Sequence, residues 1–380
     1  MIKVLLNATS IDDGGGVQIT LNFFRNTIDE ANGFIWYYVI SEKILTFMVK
    51  NSIYLPKDKL LVVKKRPSSI KYGKSIKKTI LEFELKNEIN LVYSLGAPSY
   101  IPFRSREIQR LTNPYIIKPN KYAYKTFPFW LRLQRYVKTY LQRIAVEDCE
   151  YFITQTPLAR SQIIKRFNIS PDNVYVISNA LADCFLNVNN TSRKLDDNII
   201  FCLAAPNFHK NIVKIPFVAY LLRKKMHEEN FKFIITIEKE HPIYKEVLIQ
   251  SEAFGVSDLV ENVGKLTQNE CVDVYLQSKI VFLPTYLEVF SATLIESMKM
   301  GVPIVATNFD FNTVVAKDAA FYFEPNDWES AADALFVMLS DERKRRQYIE
   351  KGRQIVGNIP TTTDVYYSIC EIIRKINLKW

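Results

Sequence analysis

Histidine is nearly missing from this sequence. Three occur in 380 residues, His209, His227 and His241, all beyond residue 200. The first half therefore has no imidazole to act as a general base. Cysteine is sparse too: Cys149, Cys184, Cys202, Cys271 and Cys370 lie far apart, with no C-x-x-C pair and an odd total. That pattern suggests neither a disulfide framework nor a zinc site and favours a reducing compartment. No apolar run approaches the roughly 20 residues that span a bilayer, and no signal peptide precedes Ile2-Lys3. A soluble, cytoplasmic chain is expected. The G-x-S-x-G, H-E-x-x-H and P-loop lysine motifs are all absent.

What is present is ordinary globular composition. Hydrophobic residues make up 48% and charged ones 24%, which excludes disordered and collagen-like classes. A single core rarely grows past roughly 250–300 residues, so two domains are expected.

Charge is unevenly placed. Residues 1–185 hold 27 basic and 15 acidic side chains, against 23 and 25 in the remainder. Within residues 43–143 the count is 22 against 5, a net +17 in about a quarter of the chain. Such a block points to an anionic partner: a lipid surface, a nucleic acid or a phosphorylated substrate. From Asn113 to Arg143 aromatic residues alternate with cations. On a helix, Phe129, Leu133, Tyr136, Val137, Tyr140, Leu141 and Ile144 form one stripe, with Arg132, Arg135, Lys138 and Arg143 mostly off it. The stripe is expected to pack on a sheet while the cations face water and steer the domain to lipid headgroups.

The chain opens with a strand pattern (Ile2–Leu6), then Asp12-Asp13-Gly14-Gly15-Gly16, then an apolar-periodic run from Val17 to Ile28. Strand, glycine loop and helix open a nucleotide-type α/β unit. Further strands are expected at Phe34–Ile40, Lys59–Val63, Leu91–Ser94, Tyr151–Thr154 and Val174–Ile177, with helices at Ile70–Lys86, Trp130–Val146 and Pro157–Phe167. The polar stretch 186–197 marks a domain boundary. A second alternation follows, with strands at Ile199–Ala204, Lys232–Thr236, Ile280–Leu283 and Pro303–Ala306. Its helices are expected at Lys214–Met226, Ile243–Phe254, Asn269–Gln277, Ala292–Met300 and Trp328–Leu339. A last helix runs from about Asp364 to Lys375. The expectation is an α/β protein of two tandem Rossmann-like domains facing a central cleft, spanning residues 1–185 and 186–359. The terminal helix, about 360–380, would pack back on the first.

The most informative stretch runs from Pro284 to Ala306. A strand ends at Leu283, Glu288 sits in the loop, and Glu296 falls about one turn inside the next helix. The helix start near Ser291–Ala292 offers unpaired backbone N–H groups to an anion or a sugar oxygen. A buried carboxylate at Glu296 is costly unless hydroxyls or a cation meet it. Gly301-Val302-Pro303 ends that helix. Alone, two such carboxylates also describe one surface glutamate and one capping glutamate.

Glu288 and Glu296, with Phe290 between them and Met300-Gly301-Val302-Pro303 after, closely resemble the E-x7-E motif of the retaining GT-B glycosyltransferases, group 1 (family 4). Val260–Leu266, Asp318–Pro325 and Pro206–Asn211 are similar to that family's base-side segment, late strand and phosphate loop. The resemblance covers roughly residues 175–355. In the first half it rests on the glycine loop and Tyr93–Tyr100.

The resemblance implies roles. Lys210 would bind the donor pyrophosphate, with Asn207 and His209 in the same loop. Glu296 would hold the ribose and Glu288 the transferred sugar, near the backbone of Phe290, Ser291 and Ala292. Gly264, Lys265 and Leu266 would line the donor side. Gly14, Gly15 and Gly16 would form the phosphate or acceptor loop of the first domain. This chain departs from the family at Ala205, where an Arg is usual, and in lacking a first-domain histidine; Asp12 and Asp13 are the carboxylates available there. No D-x-D stands in a strand-end loop, so no metal and no cofactor are expected.

The function implied is transfer of a hexose-type sugar, from a UDP-sugar or next a GDP-sugar, to a glycan acceptor on polyprenyl diphosphate during surface polysaccharide assembly. The anionic membrane surface would be met through residues 43–143, placing the chain peripherally on the inner face of the membrane. A GT-B-shaped epimerase or phosphorylase shares the architecture. A nucleic-acid-binding protein shares the charge, but no helix-turn-helix, RRM, KH or zinc-finger pattern supports it.

Overall fold

Thirteen strands among the described residues form two all-parallel sheets. The computed structural model describes residues 1–11, 14–29, 33–188, 198–203, 205–226 and 230–378. Asp12, Asp13, His227 and most of the expected boundary at 186–197 lie outside them. The first sheet holds seven strands: β1 (Ile2–Ala8), β2 (Phe34–Ser41), β3 (Leu60–Val63), β4 (Leu91–Ser94), β5 (Arg106–Arg110), β6 (Tyr151–Thr154) and β7 (Val174–Val176). The second holds six: β8 (Ile199–Cys202), β9 (Lys232–Ile235), β10 (Val260–Asn262), β11 (Ile280–Leu283), β12 (Ile304–Thr307) and β13 (Ala320–Phe323). Their orders are β3-β2-β1-β4-β5-β6-β7 and β10-β9-β8-β11-β12-β13. Each is the doubly wound order, whose direction of winding reverses between β1 and β4, and again between β8 and β11. The expected α/β class with two Rossmann-like sheets is what the chain adopts.

The chain divides into two compact units. One comprises Met1–Lys118, Arg135–Ser178 and Pro360–Trp380, the other Pro119–Gln134 and Asn179–Ile359. Parallel strands buried on both faces need continuous apolar runs, and β1, β4, β6, β11 and β12 supply them. In the first unit the helix Thr362–Asn377 begins in a capping box from Thr361 and Asp364. It then contributes Tyr366, Ile369, Cys370, Ile373 and Ile376, all fully buried, to the core around β1 and β2. Tyr366 packs edge-on against Phe23 at 5.2 Å between centroids.

Three of the differences between the structure and the sequence reading have a plain physical reason. β5 reads Arg-Glu-Ile-Gln-Arg and shows no apolar pattern, yet it is a central strand. Its polar side chains bond to one another instead: Glu107 accepts from Ser94 and from Gln109 Nε2 at 2.8 Å. The helix Glu342–Val356 is nearly all polar and was not expected, but Asp341 caps it by accepting from Lys344 N at 2.8 Å. The helix Gly14–Asp29 starts at Gly14, so the three glycines form its first turn rather than a loop before it. Gly14 has φ +63°, a conformation other residues adopt only under strain.

The helix Phe129–Glu147 corrects a fourth expectation. Its apolar stripe does not pack on the sheet. Phe129, Trp130, Tyr140 and Leu141 are 69%, 72%, 64% and 57% exposed, while Thr139 and Val146 are buried. The arginines turn inward: the Arg135 guanidinium lies 3.8 Å from the Tyr115 ring centroid, and Arg143 Nη2 donates to Tyr115 O at 3.0 Å.

The terminal helix yields a stability prediction. Ile373→Ala removes a fully buried side chain from the first unit's core and is expected to cost about 3 kcal/mol. Urea unfolding followed in the near-ultraviolet checks this; a loss below about 1 kcal/mol would contradict the packing.

Candidate active site

The site is built where the second sheet changes winding direction, outside the carboxyl ends of β8 and β11, the place where doubly wound sheets take ligands. Beyond β8 the chain makes a short 3₁₀ turn, Phe208–Lys210, and Asn211 follows at φ 56°. Asparagine tolerates that left-handed conformation better than most residues. The buried Asn211 Nδ2 donates to Pro284 O at 2.8 Å, and Tyr286 N donates to His209 O at 2.8 Å. Two hydrogen bonds thus stitch the loop after β8 to the loop after β11. They set Lys210 Nζ against Glu288 Oε1 as an ion pair. The two side chains are only 14% and 18% exposed. Removing either would leave the other charge poorly solvated and unpaired.

The helix Ala292–Lys299 starts four residues beyond Glu288. Its N-cap, Ser291, is extended and makes no side-chain capping bond. Leu294 N donates to Ser291 O at 3.2 Å, and the N–H groups before it in the helix point to where an anionic or hydroxyl ligand would sit. Phe290 packs on the core under the second sheet, Ser291 is buried, and Ala292 is exposed. The helix ends at Gly301, φ +64°, where Val302 N donates to Ser297 O at 2.9 Å.

Glu296 lies one turn into this helix and is partly buried. Among the described residues its carboxylate takes one side-chain hydrogen bond, from Tyr275 Oη at 2.9 Å. Loss of hydration pushes its pKa up to about 7, with the Tyr275 bond pulling the other way. The fully buried Tyr275 is itself wedged edge-on against Phe201 and Phe185, at 5.1 and 5.8 Å. A carboxylate has room for several donors, so Glu296 retains capacity for hydroxyl groups.

The remaining expected residues divide. Asn207 and His209 stand in the same turn as Lys210, Asn207 exposed and His209 partly so. Gly264 follows β10 at φ +79°, and its N–H donates to Asn262 Oδ1 at 3.2 Å. Lys265 is exposed and pairs with Glu238 at 3.5 Å, whereas Leu266 packs on the core shared by Tyr275 and Ile295. Gly14, Gly15 and Gly16 belong to the first unit, and an added Cβ at Gly14 or Gly15 would meet no atom within 4 Å. The sequence reading missed Tyr275 and included Asn211 in the loop without giving it a role. Nothing in the sequence separates Tyr275 from any other core tyrosine, but an asparagine closing a tight turn is a readable left-handed signal.

Comparison with known proteins bears on this geometry. Residues 187–355 match the family described as "Glycosyl transferases group 1". That match covers less than half of the chain. The chain is 22% identical over 237 residues to the gpi3 subunit of phosphatidylinositol N-acetylglucosaminyltransferase from Schizosaccharomyces pombe, covering 60% of this chain and 51% of that one. It spans about half the length of the curated relatives it matches. Among solved structures it resembles a glycosyltransferase from Rickettsia africae, with TM-score 0.72 and 17% identity over 99% of this chain and 98% of that one. It also resembles Anabaena HepE in complex with UDP-glucose, with TM-score 0.73 and 13% identity over 99% and 100%. These likenesses establish the GT-B fold.

Glu296 gives a pH prediction. Its raised pKa means that the folded chain holds this proton more tightly than the unfolded chain does. The stabilisation is fully present below about pH 4.5 and is lost as pH rises through about 7. Glu296→Gln lacks this dependence, so its stability relative to wild type is expected to rise by up to ~3 kcal/mol across that window. Urea unfolding at a series of pH values measures the difference. A difference that stays constant with pH would contradict the burial of the carboxylate.

Proposed function

We propose that the chain is a retaining glycosyltransferase, moving a hexose-type sugar from a nucleotide-sugar to a glycan acceptor on polyprenyl diphosphate in surface polysaccharide assembly. UDP-sugars are the favoured donors, GDP-sugars next. The observation that carries the reading is the Lys210–Glu288 pair at the β8/β11 winding reversal, beside the uncapped helix that bears Glu296. Its support from outside the chain is the group 1 domain over residues 187–355 and a GT-B neighbour whose structure holds UDP-glucose.

In this reading the donor diphosphate competes with Glu288 for the Lys210 ammonium. Lys210 then neutralises the leaving group, and Glu288, released, accepts hydroxyls of the transferred sugar. The N–H groups following Phe290 add fixed positive dipoles near the same place. Glu296 accepts the ribose hydroxyls, whose bonds favour its ionised form and offset the cost of burial. The anomeric carbon–oxygen bond to the diphosphate breaks, and the acceptor oxygen bonds to that carbon on the same face. The acceptor's proton passes to the departing diphosphate, so the missing first-domain histidine is not required. Charge stabilisation by pre-placed groups, Lys210 first among them, carries the rate. The basic block at residues 43–143 draws the chain to anionic headgroups at the inner face of the membrane, where a lipid-linked acceptor is held.

Nucleotide release from a panel of UDP- and GDP-hexoses, with and without a lipid-diphosphate glycan, tests the proposal. Glu288→Ala and Lys210→Ala are each expected to lower turnover by roughly 10²–10³-fold. Undiminished turnover in either variant would remove that residue from the mechanism.

A further inference from the structure

The helix Phe129–Glu147 presents its apolar side outward along its whole 19-residue length. Phe129, Trp130, Leu133, Val137, Tyr140 and Leu141 are between 52% and 72% exposed. At 100° per residue they fall within an arc of roughly 120°. A stripe of this kind on a water-facing helix is costly unless something covers it. The opposite side is satisfied by the protein: Arg132 Nη2 donates to Phe127 O at 3.1 Å, and Arg135 and Arg143 engage Tyr115.

A second apolar point lies on the first unit, which also holds the helix from Arg135 onward, in a basic segment. Ile70 is fully exposed, and Lys64, Lys65, Lys71 and Lys74 around it are exposed as well. The charge of Arg66 in this segment reaches Lys138, near the middle of the helix. The Lys138 amine there is held below its ordinary value by burial first, then by Arg135 and by Arg66 of the loop. Outward apolar residues and a rim of cations therefore share one surface.

We infer that this helix lies in the plane of an anionic bilayer with its apolar side inserted among the acyl chains, while the loop at residues 64–74 meets the headgroups. The composition decides the occupant. A second copy would bring together two blocks of net +17, which repel. A nucleic acid would match the charge but leave Leu133, Val137 and Leu141 without a role. A bilayer satisfies both at once, because apolar area and anionic attraction add in interfacial helices. The inference deepens the peripheral-membrane part of the proposed function and does not depend on the transferase chemistry.

The test is co-sedimentation of the full chain with phosphatidylcholine vesicles, plain and with about one-third phosphatidylglycerol. Wild type is expected to bind the anionic vesicles, with a blue shift in tryptophan emission that Trp130→Phe abolishes. Val137→Asp with Leu141→Asp should lower partitioning by at least about tenfold at both low and high salt. Both positions are exposed, so unchanged thermal unfolding would separate this loss from misfolding. Lys64→Ala with Lys65→Ala and Lys71→Ala should weaken binding at low salt alone. Glu288→Ala should bind vesicles as wild type does, which keeps failure of the transferase reading distinct. Failure of wild type to bind, or unaltered binding by the Asp variant, would overturn the inference. So would a wild-type dimer in sedimentation velocity that the Asp variant breaks, or RNA binding that the Asp variant loses.

Discussion

The ion pair between Lys210 and Glu288 is the constraint around which the second half of this chain is arranged. Neither charge is stable where it sits without the other, and neither would meet the other without the parallel sheet. β8 and β11 are neighbours in space but separated by two strands in sequence, and only the doubly wound order brings their following loops together. The bonds from Asn211 to Pro284 O and from Tyr286 N to His209 O then fix the loops to within an ångström or so. The uncapped start of the helix Ala292–Lys299 and the carboxylate of Glu296 follow from the same loop. A ligand with two negative charges and adjacent hydroxyls matches this set.

The first unit solves a different problem with the same architecture. Its sheet is completed by a helix from the far end of the sequence, through residues such as Tyr366 and Ile373. Its polarity, however, is partly reversed. In its part of the helix Phe129–Glu147, from Arg135 onward, Arg135 and Arg143 are used internally, against Tyr115, and Val137, Tyr140 and Leu141 are left outside. Inward arginines are tolerable because carbonyls and a ring face receive them. The outward apolar residues are what the proposed bilayer contact would cover.

Much of this was legible in the sequence, and the exceptions are instructive. Strands at Leu91–Ser94, Tyr151–Thr154 and Ile280–Leu283 could be read to the residue because buried parallel strands are short, uninterrupted apolar runs. The loop positions of Lys210 and Glu288 were legible for the same reason, since each follows such a run. β5 was not, because its burial is offset by side-chain hydrogen bonds rather than by hydrophobicity. The outward turn of the Phe129–Glu147 stripe was not legible either: periodicity shows that a helix has two faces, and says nothing about which one the protein covers. Tyr275 escaped because its importance comes from a partner distant in sequence, Glu296.

We propose that Lys210 and Glu296 serve one diphosphate-bearing ligand within the second half of the chain. Calorimetric titration of the wild type, Lys210→Ala and Glu296→Ala with UDP, UMP, GDP and GMP addresses it most directly. One nucleoside diphosphate is expected to bind the wild type well above its monophosphate. That preference disappears in Lys210→Ala, and affinity for both forms falls in Glu296→Ala. Equal binding of diphosphate and monophosphate by the wild type, or a preference that survives the loss of Lys210, would contradict it.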